Sequence, residues 1–264
     1  MAISLRKKIS VLFLSEPNFD KYACEFMILS LNKIQACFEF EFPELRTYPF
    51  RSTGYYRLED LLSKFHETLE NLQTRGIARG EYFIGITNVS MGENLFWYIQ
   101  KNMAIITTDT WEKLFSPPSL FEYIIHSLTG ALVQMISVTE TSRLIGSHRD
   151  TRGCLMDYTF FKKDDKVDIS LGYICDKCKS QIKEVLGKDL ALCVEKMSSR
   201  EWIGEVEQTG SVAHSLKKFF KLDLNKDTGF YKTFWERAKE HLPEIPKEVI
   251  LIVATAIITY LLTK

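Results

Sequence analysis

The chain has 264 residues, 45% of them hydrophobic and 26% charged, with 34 basic side chains balancing 34 acidic ones. That apolar content excludes a chain too polar to bury a core, and the charge balance excludes nucleic-acid or membrane-surface binding driven by a global field. The length fits one large domain, or a domain of about 200 residues with an appendage.

Arg6, Lys7 and Lys8 precede the apolar run from Ile9 to Leu14. The run is too short for a signal-peptide core and has no small-residue cleavage site after it, so it reads as a buried strand of a cytoplasmic domain. Phe26, Ile28, Leu29, Leu31 and Ile34 predict a helix over residues 21–34. Residues 38–42 alternate aromatic with acidic side chains in the period of a half-exposed strand. Residues 48–56, with Pro49 and Gly54, read as a loop. Residues 58–74 carry Leu61, Leu62, Phe65, Leu69 and Leu72 on one helical face, ended by Gly76 and Gly80. Residues 82–86 and 103–107 read as strands, with a third at 95–99 between them. Phe96, Trp97 and Tyr98 belong there as packed strand residues rather than as a platform for stacked bases.

Ser116-Pro-Pro-Ser119 breaks the chain, and Ser119 is the expected N-cap of an apolar helix over residues 120–138. Leu120, Ile124, Ile125, Leu128, Leu132 and Met135 line most of its circumference, which predicts a central, buried helix. Residues 146–179 read as a loop-rich stretch, with a solvated tip of mixed charge at 162–166 and an amphipathic segment at 182–186. Beyond Gly187, helical patterns over 189–196, 212–222 and 230–242 read as a stalk, closed by Pro243 and Pro246. Val249 to Thr263 then runs through 15 residues without a charge. As a helix this run spans roughly 22 Å against a hydrocarbon core of about 30 Å, and the stems of Lys247 and Lys264 reach outward to the interfaces. The expected organisation is an α/β domain at 1–186, a helical stalk at 187–246 and a transmembrane helix at 247–264 in contact with membrane lipid.

The chemistry-bearing pattern is His148, Cys154, Cys175 and Cys178, spaced H-x5-C-x20-C-x2-C. Three of the six cysteines and one of the five histidines fall in this segment. A two-residue gap lets Cys175 and Cys178 grip one tetrahedral ion, and Cys154 and His148 are expected to complete its shell. Thiolates favour zinc, in a structural role. Cys24, Cys37 and Cys193 have no spacing that implies pairing and read as buried, reduced thiols. Arg143, Arg149 and Arg152, with His126, form a candidate site for a small anionic or nucleotide signal. The phosphate-loop, dinucleotide and nucleophile-elbow signatures are missing, and no sequence-specific nucleic-acid binding is expected.

The order of a helix bearing Ile124-Ile-His126-Ser-Leu-Thr-Gly130, a turn Cys154-Leu-Met156-Asp157-Tyr158 and then Cys175-x2-Cys178 resembles the second half of archaemetzincins, over about residues 80–186. The resemblance implies a zincin-like mixed sheet with a central helix and a zinc loop, and places Met156 in a Met-turn beneath the old active site. In that family an H-E-x-x-H helix holds catalytic zinc, and a cysteine set holds a second zinc. Here the general-base position falls on Ser127 and the second histidine position on Gly130. The first of the family's clustered cysteines is missing, with His148 near its place. A zinc hydrolase needs three protein ligands, an open water position and a base, so no catalytic residue is expected. The function expected by analogy is an inactive, peptidase-like sensor that controls a membrane-active C-terminal helix. It would act as an oligomerising bacterial anti-phage effector in the cell membrane. The alternatives are a tail-anchored module that docks a partner protein, or an anchored zinc peptidase using His126, Glu122 or His148.

Overall fold

Alternation along the first strand sets the layers. In the computed structural model, which describes residues 6–51, 55–92, 95–111, 118–148, 153–158 and 165–231, β1 (Lys7–Phe13) sends Ile9, Val11 and Phe13 into one core. Leu12, and Leu14 just beyond the strand, go into a second core on the opposite face. This is the two-faced burial of a central strand in a mostly parallel sheet. β1 pairs in parallel with β2 (Phe38–Glu41) and with β3 (Tyr82–Thr87), and β3 pairs in parallel with β5 (Met103–Thr107). β4 (Trp97–Gln100) runs antiparallel along β5 and forms the edge, giving the order β2-β1-β3-β5-β4. The expected mixed α/β sheet is present.

Helix α1 (Lys21–Ile34) begins where the Asp20 carboxylate accepts the Tyr22 and Ala23 backbone N–H groups at 2.9 and 3.1 Å. It places Met27, Ile28 and Leu31 in the first core. Helix α2 (Leu58–Thr74) covers the other face with the five apolar residues of its predicted stripe. Helix α3 (Leu120–Thr141) is the centre of the first core. Ser119 and Glu122 form a capping box at its start, where each satisfies a backbone N–H that the first helical turn leaves without a partner. The Tyr123 hydroxyl donates to the Thr107 carbonyl at 2.6 Å, and Tyr82 donates to Glu140 at 2.5 Å near the other end, where Lys7 also pairs with Glu140. Among the described residues, α3 alone is long and apolar enough to cross a membrane, and it is buried inside the protein.

The C-terminal half departs from its sequence reading in three places. Residues 165–171 form a short helix, α4 (Asp165–Leu171), in which Asp165 is buried rather than at a solvated tip. Helix α5 (Asp176–Leu186) starts six residues before the expected amphipathic segment. Helices α6 (Lys188–Ser198) and α7 (Val212–Phe220) pack on α3 and α1 instead of leaving as a stalk, so Met1–Phe230 forms one compact unit. Cys37 and Cys193, expected to be reduced, form a disulfide that ties the start of β2 to α6. The partners stand 156 positions apart, a separation that leaves no local spacing signal. Cys24 is a buried thiol as expected. At the start of the helix expected at 230–242, Phe230 instead bridges to Phe19; residues 232–242 and the apolar run at 247–264 lie outside the described residues.

Candidate metal centre

Two short backbone pairings bring the four ligands together. His148 lies alongside Asp157, its N–H donating to the Met156 carbonyl at 3.3 Å and its carbonyl accepting from the Tyr158 N–H at 2.8 Å. Cys154 lies alongside Tyr173, with the Leu155 N–H donating to the Tyr173 carbonyl at 2.7 Å. Gly153 makes the turn into this pairing at φ +80°, a conformation that L side chains rarely adopt. Cys175 is the N-cap residue of α5 and Cys178 lies in its first turn, so the two-residue gap sets both thiols at one helix end. The partial positive charge of that end favours the thiolate form.

All four ligand atoms lie within 4.8 Å of one another. His148 Nε2 is 3.4 Å from Cys175 Sγ. Ligand atoms on a tetrahedral zinc with bonds of about 2.0–2.3 Å sit about 3.3–3.8 Å apart, and the His148–Cys175 spacing fits that ion. These residues form a zinc-binding cluster. Its thiols also carry the electrostatics of a cation site. Burial raises Cys175, but hydrogen bonds from the Cys178 backbone and side chain, His148 and Cys154 outweigh it and bring the thiol down to about 7. Burial pushes Cys154 and Cys178 up. The backbone N–H groups of Cys175 and Met156 point at Cys154 Sγ, at 3.3 and 3.5 Å, as they do toward a metal-bound sulfur. Three buried thiols and an imidazole in one cluster are a donor set that a divalent cation completes.

Asp157 holds this arrangement from behind. Its Oδ1 lies 2.5 Å from His148 Nδ1, which leaves Nε2 for the sulfur cluster, and its Oδ2 accepts the Cys154 N–H at 3.1 Å. One carboxylate therefore orients two ligands, the arrangement by which outer partners fix the tautomer of a metal-bound histidine. Sequence reasoning quoted Asp157 beside Cys154 and Met156 without a role; its position three residues after a ligand was the available signal. Burial, and then the negative charges of Asp157 and Asp165, push Asp168 up to about 8.

Arg143 pairs with Glu184 at 3.3 Å, while Arg149 and Arg152 lie outside the described residues. On α3, burial, opposed by the Asp157 charge, pushes the His126 imidazole down to about 4, so it is neutral. Glu122, on the same face, is held by its own capping box and by an ion pair with Arg200, a partner the sequence did not indicate. Met156 is buried.

No family model and no curated protein matches this chain. Among solved structures, the crystal structure of an archaemetzincin from Methanopyrus kandleri is similar over 69% of this chain and 97% of that one, with 15% identity and a TM-score of 0.43. The zinc assignment stands on the donor set alone.

Proposed function

We propose that the protein is a non-catalytic binding domain held together by structural zinc, a sensor rather than a peptidase. The observation that carries this reading is the state of α3 opposite the zinc loop. A Cβ built on Gly130 makes ordinary contact with Leu155 Cδ1 and Trp97 Cζ2, both at 3.8 Å, and the glycine itself offers no second imidazole. Ser127 carries no carboxylate, and Glu122 is engaged by Arg200. Among the described residues His126 is thus a single imidazole in no metal-ligand cluster, whereas zinc hydrolysis needs three ligands and a base. The His148, Cys154, Cys175, Cys178 set meets the other description, a closed four-ligand shell with no position for substrate.

Metal stoichiometry by mass spectrometry tests this directly. One zinc per chain, lost in Cys175→Ser and retained in His126→Ala, is the expected result. Two zincs per chain, one of them lost with His126, together with peptide hydrolysis, would overturn it.

The same reading gives the C-terminal segment 247–264 to the membrane, supported by its 15 uncharged residues. A segment masked at rest is released when a ligand prefers the exposed state, and the shift is limited to the ligand's differential affinity. By analogy such a protein works in anti-phage defence as an oligomer that damages the cell membrane. Expression of the whole chain, set against a chain ending at residue 246, should permeabilise bacterial cells only with the segment present. Equal viability and equal dye exclusion would remove the effector role and leave a module that docks a partner.

A further inference from the structure

We infer that the cleft between α2 and residues 45–49 is a binding site for a small organic phosphate. The inference adds a ligand class to the sensor reading, but it draws on a different part of the molecule from the zinc centre and can fail separately. The cleft has a volume of about 340 Å³, at the lower end of the range for small-molecule sites. Three cations line it. Lys64 lies on α2 and Arg75 is the residue that ends it, about three turns further along with Asn71 between them, and Arg46 comes from the facing segment.

Elsewhere in the described protein Arg143, Arg200, Lys7, Lys179 and Lys217 each hold a carboxylate. The three cleft cations have no ion-pair partner among the described residues, although Glu67 shares the cleft wall. Lys64 is positioned instead by aromatic rings, its Nζ 5.8 Å from the ring centres of Phe50 and Tyr56. Such placement fixes a charge without neutralising it. Arg75, which ends α2, offsets the helix dipole, and this accounts for one cation of the three. Arg46 has no such duty.

The rest of the lining selects the class. Guanidinium forks match phosphate oxygens two at a time, and Arg46 and Arg75 supply two such forks. Asn71 and Thr47 offer further donors, while Leu45, Pro49 and the buried Leu72 supply an apolar shelf for an organic body. A phosphate monoester of about mononucleotide size satisfies both halves of the cleft. It can be a soluble metabolite or the headgroup of an anionic lipid.

Calorimetric titration of the full-length, zinc-loaded protein tests this with adenosine monophosphate, with inorganic pyrophosphate, and with phosphatidylcholine vesicles carrying phosphatidic acid. Saturable binding of adenosine monophosphate is expected, weakened about tenfold by Arg46→Ala and again by Arg75→Ala, unchanged in Lys217→Ala, and reduced by salt. Binding to the vesicles alone, lost in the same two variants, would assign the phosphate to a lipid. Unaltered zinc content in each variant shows that the fold is intact, and Lys64→Gln serves where an arginine variant does not fold. No saturable binding of any probe up to about 5 mM, or binding indifferent to Arg46 and Arg75, would overturn the inference.

Discussion

Asp157 touches no position of the metal itself, yet it governs the centre because one oxygen faces His148 Nδ1 and the other takes the Cys154 N–H. Asp157→Asn keeps the shape but loses the charge that holds the imidazole, and should weaken zinc binding about 10–100-fold in competition with a chelator. The protein should still fold in excess zinc. His126 gives a pH dependence with a definite sign. Its folded value is about 4 and its ordinary value 6.5, so between these the unfolded chain binds more protons. The stability it contributes is complete above pH 6.5 and is lost as pH falls toward 4. Glu122 and Arg200, which line the same pocket, carry opposite charges there. His126→Leu should flatten the fall of the melting temperature over this window by up to one proton's worth, compared with the parent protein at each pH.

Elements with a strong apolar period were legible before the structure. The strands at 7–13, 82–87 and 103–107 are runs of apolar side chains, and α1, α2 and α3 carry stripes of at least three turns. Helix α5 was not, because its first turns read Asp176-Lys-Cys-Lys-Ser and bury only Cys178 and Ile182. Its helicity is decided by what it packs against, and the metal ligands at its start looked like a loop for that reason. The four ligands themselves were legible from spacing. Asp157 and Arg200 were not, since a carboxylate behind a histidine and an arginine 78 residues from Glu122 leave no local pattern. The zinc loop depends on one backbone conformation. At Gly153 an added Cβ meets Leu171 Cδ1 at 2.1 Å and the backbone stands at φ +80°. The exposed Leu171 side chain can rotate away, but the backbone strain stays, so Gly153→Ala should cost about 1–3 kcal/mol and speed zinc loss to a chelator. Thermal melts with and without excess zinc measure both effects.

Across the whole molecule, the Cys37–Cys193 bridge ties the start of β2 to the middle of α6. Alkylation of the denatured, metal-free protein should modify four cysteines before reduction, Cys24, Cys154, Cys175 and Cys178, and all six after it. Six modified cysteines before reduction would show that the bridge does not form in the purified protein. Helix α6 carries Cys193 and is joined by Gly187 to α5, which carries two zinc ligands, and Lys179 pairs with Glu195 across this hairpin. The covalent segment from Cys37 to Cys193 therefore closes on itself as a ring that contains most of the sheet, the central helix and every zinc ligand. Only β1, α1 and the chain beyond Cys193 hang outside it. A protease that cuts once between those cysteines opens the ring without releasing a fragment, so the nicked protein migrates as one chain until a reductant separates its pieces.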